Sequence, residues 1–191
     1  RAGLQRYTYP AGTDSRVMID LMIPAEYRYN ILEARIRQVS NRRIEGYSKQ
    51  QSKGVWSSDA DQDYTIHFVI EFDRDILFFG GWINDEIKDL KELYATNPEK
   101  MGCFVEFDTR KKRVVQVRSG ISFVDMEGAA RNLEKEIADL FNWNFDAVHE
   151  SHLDAWNEIL SRVMVESIDQ REKKRFYTNL YRSYCRNTFS D

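Results

Sequence analysis

The sequence predicts a mainly β protein with an α-helical extension, namely an antiparallel β-sandwich followed by linker helices. Two observations carry this prediction. Up to Val124, short segments alternate apolar and polar residues, as strands with one buried face do. After Val124, apolar residues recur every three or four positions, as in amphipathic helices. Strands followed by helices indicate two structural units, which we place at residues 1–124 and 125–191.

Two segments show the strand alternation most clearly. In RVMIDLMI, one face carries Val17, Ile19, Leu21 and Ile23. In YTIHFVIEF, one face carries Tyr64, Ile66, Phe68, Ile70 and Phe72. Shorter candidate strands are ARIRQVS, RIEGYSKQ, DILFFGG, GCFVEFD, RVVQVRS and GISFV. Polar turn residues separate most of these segments, and many short strands with such turns are typical of a β-sandwich.

One stretch interrupts the strand pattern. NDEIKDLKELYATNP places Ile87, Leu90, Leu93 and Tyr94 at helical spacing, and it ends at Pro98. It predicts a short helical insertion near residues 84–97.

Three helices are predicted after residue 124. Asp125 caps MEGAARNLEKEIADLF, in which one side carries Ala129, Ala130, Leu133, Ile137 and Leu140. Asn144 caps NFDAVHESHLDAWNEILSRVMVE, in which the inward residues are Phe145, Val148, His152, Trp156, Ile159 and Val163. The third helix, in DQREKKRFYTNLYRSYCR, carries an aromatic stripe of Phe176, Tyr177, Leu180, Tyr181 and Tyr184. Such a stripe needs a partner surface.

Composition narrows the possible partners. The net charge of -3 combines well-mixed charges of both signs, which argues against a nucleic-acid partner. The one tight basic cluster, residues 110–113 (RKKR), predicts a hairpin turn, with a docking patch as the alternative. No segment approaches the roughly 18 continuous apolar residues that a membrane span requires. Cys103 and Cys185 lack metal-ligand spacing and are expected to be buried free thiols, or a disulfide in an oxidising compartment.

The polar and aromatic residues allow few functional hypotheses. His149 and His152, three positions apart on a helix, are either core or boundary residues or a metal-binding pair. His67 shares its strand face with Thr65 and Glu71, and we expect a partly exposed sheet residue there. A set of early aromatic residues is either core or a sugar-stacking platform. Its members are Tyr7, Tyr9, Tyr27, Tyr29 and Trp56.

Several longer stretches stand in an order that resembles a known family. They are RAGLQRYTYP, VMIDL, RRIEGY, GISFVDMEGAARNLEKEI, NFDAVHESHLDAWNEILSRVMVE and KKRFYTNLYRSYCRNTFSD. Together they are similar to the α-mannosidases of glycoside hydrolase family 92, and GISFVDMEGAARNLE and FYTNLYRSYCRNTFSD are the most specific. The weakest match is WINDEIKDLKELYATNPEKM. The resemblance covers most of the chain.

The resemblance implies a β-sandwich, a helical linker and a large C-terminal (α/α)6 barrel, whose first helix would be the third predicted helix. It also implies removal of terminal α-linked mannose, expected to be α-1,2-linked, from glycans by an inverting mechanism. Inversion requires two carboxyl groups about 6.5–9.5 Å apart. The family further implies a calcium ion that contacts the mannose ring and is held by oxygen ligands.

By the same resemblance, the general acid, the general base and the calcium ligands lie in the barrel, beyond the equivalent of Asp191. We therefore expect the chain to hold no catalytic residue and no metal ligand, and to be an inactive portion of a parent enzyme. Asp191 is the one candidate substrate-binding residue, because an acceptor-only carboxylate suits mannose hydroxyls. A simple helix-end or loop carboxylate is the alternative.

Expectations about partners and location follow from the same reasoning. The parent enzyme would bind mannose-containing glycans and would be exported by bacteria to the periplasm or cell surface. The aromatic stripe of the third helix, unpartnered in this chain, predicts self-association. The alternative function is a non-catalytic carbohydrate-binding or interaction β-sandwich.

Overall fold

The computed structural model describes residues 1–22, 29–52 and 61–185, with only the backbone of Tyr29. In these ranges the strands form two sheets, and helices follow them, which confirms the predicted fold class. The strands are β1 (Ala2–Thr8), β2 (Ser15–Asp20), β3 (Tyr29–Ser40), β4 (Arg43–Ser52), β5 (Gln62–Phe72), β6 (Phe78–Ile83), β7 (Glu86–Lys88), β8 (Glu92–Thr96), β9 (Met101–Phe107) and β10 (Val114–Ser122). The six-stranded sheet has the order β1-β10-β5-β4-β3-β8, and the four-stranded sheet has the order β2-β9-β6-β7.

The core lies between the inner faces of the two sheets. Every strand pairing is antiparallel, so the period-2 patterns predicted above decide which side chains enter the core. Phe68, Ile70 and Phe72 of β5 are buried there, as predicted. The ring of Phe72 packs 5.1 Å, centroid to centroid, from the ring of Phe107 in the opposite sheet. Residues 23 and 27 of the predicted patterns lie outside the described residues.

The predicted helical insertion near residues 84–97 is wrong. The chain turns from β6 into β7 at Asn84 and continues into β8 of the other sheet. Asn84 adopts a left-handed backbone with φ of 54°, which asparagine tolerates, and its side chain accepts a hydrogen bond from the Glu99 amide at 2.8 Å. The apolar residues do not share one face, because Leu93 is 2% exposed and Ile87 is 78% exposed. The apolar residues of this stretch therefore stand at helical spacing by coincidence, and the chain forms the two strands β7 and β8.

The predicted hairpin at residues 110–113 is also wrong. β9 belongs to the four-stranded sheet and β10 to the six-stranded sheet, so this basic loop crosses between sheets. Asp108 organises the start of the loop by accepting hydrogen bonds from the backbone and the side chain of Arg110. These bonds hold the pKa of Asp108 at about 2.

The first predicted helix contains a π-helical turn. It consists of α1 (Met126–Leu133), the π turn (Glu134–Ala138) and α2 (Asp139–Phe141). Asp125 caps α1 by accepting a hydrogen bond from the Gly128 amide, as predicted. Ala129, Leu133 and Ile137 are buried, whereas Leu140 is 67% exposed. The prediction that Leu140 shares the apolar side is wrong, because a π turn adds a residue and rotates the next helical turn about the axis.

The chain divides into two compact units. The first covers Arg1–Trp143 and thus continues beyond the predicted boundary after Val124, because α1 packs on β10 and β5. The second begins at Asn144 and contains α3 (Phe145–Leu160) and α4 (Gln170–Tyr184). Asn144 caps α3 as predicted. Within this unit, the rings of Trp156 and Tyr181 lie 4.5 Å apart, centroid to centroid.

Candidate functional site

The candidate substrate-binding residue from the sequence, Asp191, lies outside the described residues. Among the described residues 1–22, 29–52 and 61–185, no three His, Cys, Asp or Glu side chains come together as a metal-binding group. His149 and His152 are both exposed on α3, so the expectation that His152 lies on the buried side of this helix is wrong. The helix buries Val148 alone, and its inward face is narrower than the spacing predicted.

The cysteines and the early aromatic residues have the expected surroundings in part, since Cys103 is a buried free thiol and Tyr9 packs against the core. Both cysteines are free thiols. Cys103 is buried, and burial raises the pKa of its thiol, whereas Cys185 is exposed. Tyr7 is exposed and Tyr9 is half-buried on the sandwich, where their rings lie 6.4 Å apart. The side chains of Tyr27, Tyr29 and Trp56 lie outside the described part of the structure.

The strand register brings a different set of polar and aromatic residues together on the outer face of the six-stranded sheet. Directly paired residues of neighbouring strands share a face, so the register defines rows that cross the sheet. We name the three rows across β8, β3, β4 and β5 the ladder face. The first row contains Thr96, Glu33, Lys49 and Thr65; the second contains Tyr94, Arg35, Tyr47 and His67; the third contains Glu92, Arg37, Glu45 and Val69.

Hydrogen bonds between rows and strands fix the side chains of the ladder face. Arg35 donates to Glu92 at 2.8 Å, and Arg37 donates to Glu45 at 2.7 Å. Glu45 is buried and accepts a second, longer hydrogen bond from Arg43 at 3.4 Å. Because each of these carboxylates has a cationic partner, the ion pairs hold a defined geometry without leaving one sign in excess.

Tyr47 stands at the centre of the ladder face. Its hydroxyl donates a hydrogen bond to the Glu33 carboxylate. This hydrogen bond, with partial burial and the nearby negative charge, raises the pKa of Tyr47 to about 12. The ring of His67 lies 5.9 Å from the ring of Tyr47, centroid to centroid, at an interplanar angle of 45°. The Nδ1 atom of His67 is buried and has no hydrogen-bond partner among the described residues.

Two clefts flank the pair formed by Tyr47 and His67. The larger, of about 520 Å³, is lined by Tyr47, Lys49, Asp63, Tyr64, Thr65, His67, Phe123 and Val124. The smaller, of about 240 Å³, is lined by Arg35, Arg37, Glu45, Gly46, Tyr47, His67 and Met126. Small-molecule sites in proteins are concave and combine apolar or aromatic walls with a few placed polar groups, at roughly 300–1,000 Å³, a range that includes the larger cleft and lies above the smaller one. The arrangement is suited to binding, since Glu45 and Glu92 are engaged in ion pairs and Glu33 accepts the hydrogen bond of Tyr47.

A second polar cluster lies where the π turn meets the same sheet. Arg118 of β10 donates to Glu71 at 2.8 Å, and its guanidinium stacks 4.3 Å from the ring centre of Trp143. Asn142 adopts φ of 51° at the end of α2. These contacts border a cleft of about 320 Å³ and attach the helical segment to the sheet.

Sequence reasoning identified His67 as a partly exposed sheet residue, and its half-buried position confirms this. It missed Glu33, Arg35, Tyr47 and Tyr94. The alternation of ARIRQVS and RIEGYSKQ does place their polar residues on the non-apolar strand face. The sequence does not show which strands are neighbours or in which register they pair. For example, β8 pairs with β3, although β4 to β7 lie between them in the sequence.

Two models of known protein families match consecutive parts of the chain. Residues 1–122 match the family model described as the glycosyl hydrolase family 92 N-terminal domain. The chain belongs to glycoside hydrolase family 92. Residues 128–191 match the family 92 catalytic domain. The two matches meet where the strands end and α1 begins, so the ladder face belongs to the N-terminal domain of this family.

Solved structures of family 92 share the fold of the chain. An inverting family 92 mannosidase from Bacteroides thetaiotaomicron superposes with a TM-score of 0.77 and 21% identity over 96% of this chain and 22% of the mannosidase. A family 92 α-mannosidase from the same organism superposes with a TM-score of 0.74 and 22% identity over 95% of this chain and 23% of that structure. The chain thus spans less than a quarter of the length of these two structures.

A relative in sequence comes from Arthroderma benhamiae and is described as an uncharacterized secreted glycosidase. It is 31% identical over 88 residues, which are 44% of this chain and 11% of that protein. No helix in the described part of the chain has the length and apolar character needed to cross a membrane.

Proposed function

We propose that this chain is the sandwich and linker portion of an exo-acting glycoside hydrolase that removes terminal α-linked mannose from glycans. The proposed enzyme inverts the anomeric centre, depends on calcium and prefers α-1,2 linkages. The observation that carries the proposal is the consecutive match to the N-terminal and the catalytic domain of family 92. The mannosidase neighbours with the same fold support the choice of mannose.

The chain by itself is proposed to be inactive. An inverting glycosidase needs a carboxylic acid and a carboxylate base about 6.5–9.5 Å apart, with a water molecule between the base and the sugar. Several half-buried or buried carboxylates of the sandwich are held in ion pairs instead: Glu45 with Arg37, Glu71 with Arg118, and Asp73 with Lys112. We place the acid and the base in other parts of the parent enzyme.

Calcium is proposed for the parent enzyme, where it would bind the sugar hydroxyls through its own coordination sphere. Calcium requires six to eight oxygen ligands, typically including carboxylates. The described part of this chain brings no three acidic, histidine or cysteine side chains together, so these residues do not fit such a site. Asp191 remains proposed as a direct acceptor for a mannose hydroxyl and not as a calcium ligand.

The test uses the full-length gene product and this chain in parallel, with α-1,2-mannobiose as substrate. Proton NMR should show β-mannose as the first product of the full-length enzyme, and EDTA should abolish turnover until calcium is restored. This chain should release no mannose. Release of α-mannose first would contradict inversion, activity that survives EDTA would contradict calcium dependence, and turnover by the chain alone would contradict its assignment as an inactive portion.

A second candidate function is a non-catalytic carbohydrate-binding or interaction sandwich, and the ladder face is the observation that favours it. Two aromatic rings and fixed polar groups line its clefts without a free carboxylate pair. A full-length gene product that binds mannosides in calorimetry but releases no mannose would select this second function over the first.

We further propose that a second copy of this chain covers the aromatic stripe of α4. Phe176 and Tyr184 are exposed, and Tyr181 is 43% exposed although its ring packs against Trp156 of α3. In sedimentation velocity, the fraction of dimer should rise with protein concentration. The double variant Phe176→Ser with Tyr184→Ser should be monomeric. A monomer at every concentration, with α4 intact by circular dichroism, would overturn this proposal.

The proposed location is outside the cytoplasm of a bacterial cell, in the periplasm or at the cell surface. The secreted glycosidase of Arthroderma benhamiae supports export. Cell fractionation with an antibody against the sandwich would locate the parent enzyme, and a cytoplasmic signal would contradict the proposal.

A further inference from the structure

The ladder face has the charge balance of a site for a neutral ligand. Its three rows hold three cationic side chains, Arg35, Arg37 and Lys49, and three anionic ones, Glu33, Glu45 and Glu92. Both arginines are paired with carboxylates. In the larger cleft, Lys49 and Asp63 carry opposite charges. At either arginine, an anionic ligand such as a phosphate would have to displace a carboxylate partner, whereas a neutral polyol would not.

The centre of the face offers an apolar platform with polar groups at its edges. The rings of Tyr47 and His67 lie side by side at 5.9 Å, between the two clefts. Tyrosine and histidine combine an apolar body with a polar tip, as a sugar ring combines apolar C–H faces with peripheral hydroxyls. Tyr47 is also held in place by its hydrogen bond to Glu33, so little side-chain freedom remains to be lost on binding.

One polar atom of this platform lacks a partner. The Nδ1 atom of His67 is buried and unpaired among the described residues, and a buried polar atom without a partner is costly. With the His67 ring turned so that this nitrogen faces the cleft, a sugar hydroxyl satisfies either tautomer of the imidazole, because a hydroxyl both donates and accepts hydrogen bonds. An anion or a cation would satisfy only one of the two states.

We propose that the ladder face binds a neutral oligosaccharide, with the ring pair Tyr47 and His67 between two sugar units that occupy the larger and the smaller cleft. The site performs no bond cleavage. The identity of the sugar as mannose rests on the proposed function, whereas the site itself rests on the geometry of the sheet. Lys49 and Thr65 line the larger cleft, so the sugar unit bound there makes the more extensive contact with the protein.

The test is a calorimetric titration of this chain with α-1,2-mannobiose and, separately, with maltose. Tyr47→Ala removes the central ring and should weaken binding at least about tenfold, which corresponds to about 1.4 kcal/mol. Thr65→Arg fills the larger cleft without touching the core and should abolish binding. Tyr7→Ala removes an exposed tyrosine of β1 outside the ladder face and should leave the affinity unchanged.

The outcomes separate this inference from the proposed function. Binding of either sugar that is lost in Thr65→Arg and kept in Tyr7→Ala supports the site. Binding of maltose without mannobiose supports the site and contradicts mannose as its sugar, whatever the full-length enzyme hydrolyses. No binding of either sugar at concentrations on the order of 10 mM, or equal binding by all folded variants, overturns the inference. Circular dichroism checks that Tyr47→Ala is folded, and Thr65→Arg provides an independent reading if it is not.

Discussion

The outer face of the six-stranded sheet has two halves that share a backbone and differ in their side chains. Where α1 packs on the sheet, the paired positions Gly120 and Val69 are small or apolar, and the next pair, Arg118 and Glu71, forms an ion pair. On the ladder face, the equivalent positions carry charged and aromatic residues, as at Arg35 and Tyr47. The two halves meet within the third row of the ladder face, where Val69 of β5 belongs to the covered half and Glu45 of β4 to the open half.

The difference shows how one sheet supports both packing and binding. In the covered half, stability comes from burial of apolar area and from the close approach of backbone to backbone. In the open half, an exposed ion pair such as Arg35 with Glu92 contributes little to stability, so its value lies in placing side chains. Substitutions in the covered half should therefore unfold the domain, and substitutions in the open half should change ligand binding or titration alone.

The largest expected effect is that of Leu133→Ala. Leu133 of α1 is buried, and truncation of a buried leucine leaves a cavity that costs about 3 kcal/mol of unfolding free energy. Chemical denaturation monitored by tryptophan fluorescence measures the change. Leu140→Ala is the matched control, because the π turn turns Leu140 outward. It should stay within about 0.5 kcal/mol of the wild type, whereas equal losses would show that Leu140 also faces the sheet.

A somewhat smaller loss is expected for Gly120→Ala. A Cβ atom at Gly120 would lie 2.3 Å from the Ala129 carbonyl oxygen and 2.8 Å from the Leu133 side chain, so α1 would have to move. Overpacking of this kind costs roughly 2 kcal/mol. Gly3→Ala on the neighbouring strand is the control, since the closest atom to its new Cβ would be 3.6 Å away. A stable Gly120→Ala variant would mean that α1 does not rest directly on the sheet.

The covered half could largely be predicted from sequence. Asp125 as a cap and the repeat of Ala129, Leu133 and Ile137 are local signals, and they lie where the spacing placed them. The π turn after them could not be foreseen, because its extra residue leaves the composition of the helix unchanged. Periodicity therefore failed at Leu140, one turn after it had succeeded.

The open half could not be assembled from sequence, because its rows depend on non-local pairing. Tyr94 lies beside Arg35 because β8 pairs with β3. The apolar residues around Tyr94 stand at helical spacing, so this stretch was predicted as a helix and not as a strand. The exposed face of a strand also has no hydrophobic pattern that marks its residues as neighbours. The one residue assigned to substrate from sequence, Asp191, was carried by family resemblance alone and remains a prediction outside the described residues.

The smallest effect, and the sharpest test of the open half, is the titration of Tyr47. Its hydrogen bond to Glu33 raises its pKa to about 12, so the folded state favours the protonated phenol. The resulting stabilisation is complete below the ordinary tyrosine pKa of about 10 and is lost as the pH rises through about 12. Absorbance at 295 nm follows the ionisation of tyrosine as the pH rises. The wild-type curve minus the Tyr47→Phe curve should therefore show a transition near pH 12. In Glu33→Ala the hydrogen-bond acceptor of Tyr47 is gone. The difference between Glu33→Ala and the double variant Glu33→Ala with Tyr47→Phe should therefore show its transition closer to the ordinary tyrosine pKa range. A wild-type transition already in that range, with the fold intact by circular dichroism, would show that Tyr47 is not held by Glu33 and that the ladder face is not fixed in advance of binding.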